Sequence, residues 1–348
     1  MSLSRRTWPV LVKLAVLAAA FGLMMHFGIV SPAALALAIA NPLAVFAALS
    51  MMMLGAQLNV LRWHLLLHWQ GSPLRFGQTW QISYISYFVG SFLPGAAGGD
   101  ALRALYLLRE CPDTRAAALL TIVFDRILGL GALLLLVLGL AAAMPHEVLQ
   151  QPVLLALVLI AVAAVPGLIV ALPLLSWLLS HAHRLKLQRM ARGAEHLAKA
   201  IMRPTATWRG QPGRVTLALL LGVVSHALVA ASIVTLARAM GVGTLSVWEL
   251  ALAGTLAVLA NQLPLTPGGL GIGETSFAQI CLLLAPGSAA LASGSTIFVF
   301  RLINLISFLP GALALLTFRH SAAASHPSAK ARSIADSTSS TSASSSAG

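Results

Sequence analysis

Six long apolar runs are distributed along this chain between residues 10 and 318, and they limit the folds that it can adopt. Each run has about 20 residues or more, the length a helix needs to cross a hydrocarbon core of roughly 30 Å. Hydrophobic residues make up 58% of the sequence and charged residues 9%, far from the composition of a soluble domain. We therefore predict an all-α polytopic membrane protein with six full transmembrane helices, at residues 10–30, 42–61, 116–144, 153–179, 215–236 and 289–318.

The charge balance and the cysteines exclude several functions. The net charge of the chain is +13, and its basic residues lie between the apolar runs and at the chain ends. Basic residues at such positions orient helices in a membrane, so nucleic-acid binding is not expected. Cys111 and Cys281 have no C-x-x-C spacing, and His64 and His68 have no third ligand nearby, so we expect neither a disulfide framework nor a metal site. No G-x-x-x-x-G-K-[ST] loop is present, and we expect no cofactor.

Two further apolar segments are too short to cross a membrane. Residues 79–93 and 248–263 each end in a stretch rich in Pro and Gly and are followed by a second short helical piece, at 100–109 and 274–285. Both breaks fit L-P-x-x-x-G-G, at 93–99 and, 170 positions later, at 263–269. Their repetition predicts two re-entrant broken helices.

Basic residues give the expected orientation, because short cytoplasmic loops are enriched in Lys and Arg. The N-terminus and the basic amphipathic segment 181–214 are assigned to the cytoplasm, and the uncharged loop 31–41 to the outside. Residues 1–320 then form the integral membrane domain, and 321–348 a disordered tail rich in Ser and Ala, with both termini cytoplasmic.

In this orientation, the first broken segment enters the membrane from the cytoplasm and the second enters it from the outside. The pattern is typical of an inverted repeat, with halves at about 42–144 and 215–319 and a binding site near the midplane. The alternative is that Pro and Gly are simply common in membrane helices.

The breaks themselves predict an anion site. Proline removes a backbone donor, and paired glycines allow close approach of a ligand. The N–H groups at the start of each following helix favour an anion such as a phosphate. The residues concerned are Pro94, Gly98 and Gly99 before Asp100, and Pro264, Pro267, Gly268 and Gly269 before Glu274.

Charged residues inside the predicted spans complete the candidate site. Arg126 and Arg301 are expected to hold the anionic group, with Asp125 orienting one of them or titrating. The alternative is a structural ion pair between helices. Asp100 and Glu274 could equally be helix caps, and hydrogen bonding near the second break is assigned to Asn261, Thr266 and Asn304. Arg62 and Trp63 are interpreted as an interfacial anchor.

Several of these motifs resemble one known family. They are Arg62-Trp63, the stretch from Tyr87 to Pro94, Gly98-Gly99-Asp100 with Arg103, Asp125-Arg126 with Gly129, and Leu263-Pro264 through Thr266-Pro267-Gly268-Gly269-Leu270-Gly271 to Glu274. Together they are similar to the membrane domain of the lysylphosphatidylglycerol synthase family, over about residues 8–320. In two-part members, this domain resembles a lipid flippase and a separate soluble domain transfers an amino acid from tRNA. No such soluble domain follows here, so aminoacyl transfer is not expected.

The resulting hypothesis is a non-enzymatic protein of the bacterial inner membrane. It would move an anionic phospholipid or a polyprenyl phosphate between leaflets, downhill or coupled to an ion, by rocking of the two halves. One alternative is a membrane-embedded lipid or glycan transferase with Asp100 or Glu274 as its base. Another is an accessory subunit of a lipid-modifying pathway, docked to a partner enzyme through the basic segment.

Overall fold

Helices are the only regular secondary structure in the residues that the computed structural model describes, namely 32–93, 97–111, 114–164, 211–262, 271–286 and 290–317. This agrees with the prediction, because a helix satisfies its backbone polar groups internally. In chain order the helices are α1 (Pro32–Ala40), α2 (Pro42–Trp69), α3 (Phe76–Gly90), α4 (Ala97–Glu110), α5 (Arg115–Ala143), α6 (Pro145–Gln150), α7 (Pro152–Ala164), α8 (Pro212–Ala239), α9 (Val247–Ala260), α10 (Ile272–Leu284), α11 (Ala290–Ser307) and α12 (Leu309–Thr317).

Four stretches in the described part are long and apolar enough to cross a membrane. They are Pro42–Trp69, Ala117–Ala143, Pro212–Ala239 and Ser293–Leu315, the last running through α11 and α12. Four of the six predicted spans are thus matched. The predicted span 10–30 lies outside the described residues, and the span 153–179 is described only as far as Ala164, the end of α7.

Helices α2 and α8 pack against each other in antiparallel directions. Near the middle, the Asn59 amide donates a 2.8 Å hydrogen bond to the Ser225 hydroxyl, which donates a 2.9 Å bond to the carbonyl oxygen of Gly55. Near one end, the Asn41 side chain donates to the carbonyl oxygen of Ala239 at 3.3 Å. A small residue at Gly55 lets the two backbones approach closely, as is usual between membrane helices.

Helices α3 and α4 form a helical hairpin. At its tip, a Cβ on Gly99 would lie 2.8 Å from the carbonyl oxygen of Ser86, so only glycine permits this approach. At its base, the Ser72 hydroxyl lies 3.5 Å from the Cys111 sulfur. The hairpin therefore begins and ends at the same level, next to the end of α2. Its helices have 15 and 14 residues, so each is about 22 Å long.

Helices α9 and α10 form a second hairpin with helices of 14 and 13 residues. It begins with a capping box, in which Glu249 N–H donates to the Ser246 hydroxyl and Ser246 N–H donates to the Glu249 carboxylate. At its tip, a Cβ on Gly273 would lie 2.5 Å from the Asn261 side-chain nitrogen. A glycine again allows the end of one short helix and the start of the next to approach closely.

The fourth span is interrupted at Phe308, between α11 and α12. Pro310 has no N–H to donate to the preceding turn, which accounts for the break. Gly311 then packs directly against the backbone carbonyl oxygen of Tyr84 in α3. The Phe308 ring contacts the rings of Tyr84 and Tyr87, with centroids 6.2 and 4.9 Å away. The second half of the chain is thus attached to the first hairpin.

Some predicted boundaries were wrong. The predicted outer loop 31–41 contains α1, and the loop after the third span contains α6, so both connections are partly helical. Helix α2 continues eight residues past the predicted end at Leu61 and finishes at Trp69. The amphipathic segment, apart from its last four residues, and the Ser/Ala-rich tail lie outside the described residues.

Candidate functional site

The first of two charged clusters is built around Asp125 in α5. One carboxylate oxygen accepts a 2.8 Å hydrogen bond from Arg62 Nε, and the other lies 3.1 Å from Arg103 Nη1. All three residues are buried, with at most 5% exposed. Since a charge within a membrane domain is costly without a partner, this pairing stabilises the junction of α2, α4 and α5.

Aromatic rings hold Arg103 in place. Its guanidinium carbon lies 4.6 Å from the centroid of a Trp63 ring and 5.1 Å from that of Tyr87. Both distances suit a cation–π interaction. Trp63 itself is fully buried and donates a 3.2 Å hydrogen bond from its indole nitrogen to the Thr121 hydroxyl. The interpretation of Arg62 and Trp63 as an interfacial anchor was therefore wrong, because both are buried structural residues.

Two glycines make room for Arg62. A Cβ on Gly129 in α5 would lie 3.1 Å from Arg62 Nη2, and a Cβ on Gly222 in α8 would lie 2.8 Å from Nη1. The guanidinium thus fills a slot between three helices. Its Nη2 also donates to the backbone carbonyl of Asp125 at 3.3 Å.

The neighbouring Arg126 has a different partner. Its Nε and Nη2 donate to the two carboxylate oxygens of Asp100 at 2.6 and 2.7 Å, which is a bidentate ion pair. The Arg126 side chain is 43% exposed and that of Asp100 18%. Arg103 Nη1 lies 4.0 Å from Asp100, so this pair is continuous with the buried one. Arg62, Arg103, Arg126, Asp100 and Asp125 are called the three-arginine cluster below.

The second cluster joins α10 and α11. Arg301 Nε lies 2.5 Å from a carboxylate oxygen of Glu274, and Arg301 Nη2 donates to the Asn261 side-chain oxygen at 2.9 Å. Glu274 is fully buried and also accepts a 3.0 Å hydrogen bond from the backbone N–H of Gly271. Gly271 has φ of +84°, which favours glycine, and it precedes the first residue of α10. Glu274 is therefore both a helix cap and an ion-pair partner.

The two clusters share one arrangement. In each, a carboxylate in the first turn of the short second hairpin helix binds an arginine of the following span. The partners are 26 residues apart in the first cluster and 27 in the second. The two clusters differ in exposure, since the Arg301 side chain is only 17% exposed and that of Glu274 is not exposed.

The predicted site residues fall into three groups. Arg126 with Asp100, and Arg301 with Glu274 and Asn261, are brought together as pairs. Asp125 is bonded to Arg62 and Arg103, and not to Arg126 or Arg301 as one hypothesis held. Asn304 lies one turn after Arg301, and its side-chain oxygen is buried without a hydrogen-bond partner in the described part.

The glycines and prolines of the breaks are only partly described. Gly98 and Gly99 lie in the first turn of α4, where a Cβ on Gly98 would meet the flexible Leu93 side chain. The other predicted break residues lie outside the described residues, namely Pro94, Pro264, Thr266, Pro267, Gly268 and Gly269.

Metal binding is not indicated in the described residues. They contain no group of three His, Cys, Asp or Glu side chains placed to hold an ion. His64 Nδ1 instead lies 3.1 Å from the Thr79 hydroxyl, linking α2 to α3. Cys111 and Cys281 are free and buried.

The comparison with family models agrees with the motifs found in the sequence. A model of the transmembrane region of lysylphosphatidylglycerol synthase matches residues 10–311 of the chain. The chain belongs to this family. The lysylphosphatidylglycerol synthase match includes the three-arginine cluster and the Arg301–Glu274 pair, and with the four apolar spans it makes the chain a multi-pass membrane protein. Comparisons with curated proteins and with solved structures give no match.

Proposed function

We propose that this protein moves an anionic lipid, or a lipid-linked phosphate, between the two leaflets of the bacterial inner membrane, and that it is not an enzyme. The observation that carries the proposal is the pair of equivalent Arg–carboxylate contacts, Arg126–Asp100 and Arg301–Glu274. Charged groups within membrane domains mark substrate pathways when they are not purely structural. Guanidinium groups bind a phosphate in the same bidentate manner in which Arg126 binds Asp100.

The two hairpins support an internal repeat. Each starts and turns within a length of about 22 Å, too short for a crossing by a single helix. Helices α2 and α8 both have 28 residues and start 170 positions apart, at Pro42 and Pro212. We infer that both hairpins are re-entrant and that the halves form an inverted repeat, which would offer two access states through rocking about one central site.

Arginine positions support an orientation. Four exposed arginines lie at the end of the bundle where α2 ends, namely Arg75, Arg109, Arg115 and Arg214. The opposite end has Arg238 together with Glu147 and Glu249. The positive-inside rule favours a cytoplasmic arginine-rich end, and we propose that both termini lie in the cytoplasm too. An anionic leaflet at that end would also raise the local concentration of the lipid.

Reconstitution into vesicles tests the proposal. Full-length protein is inserted into vesicles that contain a trace of headgroup-labelled fluorescent phosphatidylglycerol, and an impermeant quencher reports how much label reaches the outer leaflet. We expect transfer in wild type and little transfer in Arg126→Gln and Arg301→Gln. Glu147→Gln is the control, since it changes one charge far from both clusters.

The alternatives predict different results. A lipid or glycan transferase would change the chemical identity of the labelled lipid, which chromatography of the extracted lipids detects. An accessory subunit would neither move nor modify lipid on its own. Either result with correctly folded protein would refute the transport proposal.

A further inference from the structure

We propose that Glu274 is a proton-binding site, which takes up a proton when an anionic group replaces its carboxylate at Arg301. This inference rests on the proposed function, because it names the ion that would accompany the lipid. It follows from the burial of Glu274, from its cationic partner and from the distribution of charged residues around it.

The Glu274 carboxylate depends on Arg301 for charge compensation. Its Oε1 atom lies 2.5 Å from Arg301 Nε and makes no hydrogen bond among the described residues. Its Oε2 atom accepts hydrogen bonds from Gly271 N–H at 3.0 Å and from Arg301 Nη2 at 3.3 Å. A charge at this fully buried position therefore requires the nearby guanidinium.

The surrounding sequence offers little to replace Arg301. Residues 250–300 contain one charged residue, Glu274, and one further titratable side chain, Cys281, about two turns along α10. Helix α10 packs mainly on α9 and α11. Helix α9 carries Glu249 in its first turn, and about 18 Å of helix separates it from Asn261 near Glu274. Arg301 in α11 is thus the charged group that controls Glu274.

An anion can reach Arg301 without reaching Glu274. The Arg301 side chain is 17% exposed, whereas that of Glu274 is not exposed. Asn261 accepts a 2.9 Å hydrogen bond from Arg301 Nη2. Because this contact involves an uncharged acceptor, it can hold the guanidinium while the ionic partner changes. A lipid phosphate would bind at the exposed edge of Arg301 and compete with the carboxylate.

Loss of the ion pair leaves a buried carboxylate without a counter-charge. Such a charge is so costly in a dry interior that the group takes up a proton instead. The proton would bind Oε1, the atom that faces Arg301 Nε, while Oε2 keeps its bond from Gly271 N–H. Charge is conserved at the site, because the phosphate replaces the carboxylate as the anion and the proton neutralises Glu274.

The first cluster does not require a proton for the same exchange. The Asp100 side chain is 18% exposed and lies 4.0 Å from Arg103, in addition to its contact with Arg126. If Arg126 bound a phosphate, Asp100 would keep a second cation nearby and would not be fully enclosed. Proton uptake is therefore expected at Glu274 and not at Asp100.

Calorimetry counts the protons that accompany lipid binding. Full-length protein in an uncharged detergent is titrated at pH 7 with dioctanoyl phosphatidylglycerol, a phosphodiester whose own charge does not change near neutral pH. The titration is repeated in a buffer with a different ionisation enthalpy, and the difference in heat gives the protons taken up at saturation. We expect about one proton per protein, and a dissociation constant that falls up to about tenfold per unit decrease in pH.

Glu274→Gln is the decisive variant, because it resembles the protonated carboxyl group. Its amide oxygen can still accept the hydrogen bond from Gly271 N–H. We expect uptake to fall to about zero and the pH dependence to be lost, whereas a signal from histidines would persist. Asp100→Asn makes the same change in the first cluster and should keep an uptake of about one proton. Glu147→Gln, far from both clusters, should match wild type.

Three results would overturn the inference: lipid binding without proton uptake in wild type, proton uptake that persists in folded Glu274→Gln, or no lipid binding. If Glu274→Gln does not fold, loss of uptake in folded Arg301→Gln with retained uptake in Asp100→Asn supports the inference, and the reverse pattern refutes it. Transfer between leaflets without proton uptake would refute only the role of Glu274. Uptake that depends on Glu274, without any transfer, would refute transport and leave a proton-linked lipid-binding site.

Discussion

The hydroxyl of Ser225 donates a hydrogen bond to the carbonyl oxygen of Gly55, the residue 170 positions before it in the chain. The same interval separates the first residues of α2 and α8 and the two L-P-x-x-x-G-G motifs. Equivalent positions of two repeats meet each other only near a symmetry axis between them. This contact is therefore what the proposed inverted repeat requires at its centre.

Adjacent residues in α5 should differ strongly in their effect on stability. Asp125→Asn leaves Arg62 and Arg103 without their carboxylate in a buried site, and we expect a loss of about 3 to 5 kcal/mol in the free energy of unfolding. Arg126→Gln removes an exposed ion pair and should cost about 1 kcal/mol or less. Denaturant unfolding in detergent, followed by circular dichroism, measures both. Equal losses in the two variants would contradict this description of the cluster.

The tip of the first hairpin should not tolerate a side chain. In Gly99→Ala, the new methyl group would lie 2.8 Å from the Ser86 carbonyl oxygen, a backbone atom that cannot move aside. We expect destabilisation by about 1 to 3 kcal/mol. Gly139→Ala is the matched control, because nothing lies within 4 Å of its Cβ and alanine favours a helix. A normal melting temperature for Gly99→Ala would refute the close packing of α3 on α4.

An engineered disulfide between positions 72 and 111 should form at the base of the first hairpin. Ser72 Oγ lies 3.5 Å from Cys111 Sγ, so the thiol of Ser72→Cys would lie close enough to react with Cys111 under mild oxidation. Mass spectrometry of proteolytic fragments detects the linked peptides. Ser91→Cys, at the far end of α3, should remain unlinked to Cys111. Failure of the Ser72→Cys protein to crosslink would place the ends of the hairpin apart.

The proposed orientation can be measured by cysteine labelling in intact cells. The two natural cysteines should react little with the label, because both are buried. Burial also raises the pKa of the Cys111 thiol, which lowers its fraction of reactive thiolate. Arg75→Cys should react with a membrane-impermeant maleimide only after the cells are opened. His146→Cys, in α6 at the end of the bundle opposite to Arg75, should react in intact cells. The reverse pattern would invert the topology and place the arginine-rich end outside.

The sequence predicted the helices well and the ion pairs poorly. Length and apolar character located the four described spans and both short hairpins, because those properties act locally along the chain. The partner of Asp125 was not predictable in this way, since it depends on how three separate helices pack. Arg62 lies near the end of an apolar run, so its position suggested the membrane interface, yet Gly129 and Gly222 leave space for it inside.

Two signals in the sequence nevertheless pointed to the missed residues. Arg62 and Arg103 both belong to the motifs that resemble the family, although Arg62 was interpreted only as an interfacial anchor and Arg103 was given no role. The separation of each break carboxylate from the next arginine in a span was also visible before the structure, at 26 and 27 residues. A search for charged residues at matching intervals in the two halves would have paired Asp100 with Arg126 and Glu274 with Arg301.

The close contact of Gly311 with the Tyr84 carbonyl oxygen couples α12, the last described helix, to α3. With no side chain between the two backbones, α12 cannot slide over α3 without losing this contact, so a tilt of the first hairpin has to carry α12 with it. The helix is interrupted at Phe308, just before this contact, because Pro310 follows. A movement of one half of the molecule would thereby be transmitted to the other half through a direct backbone contact.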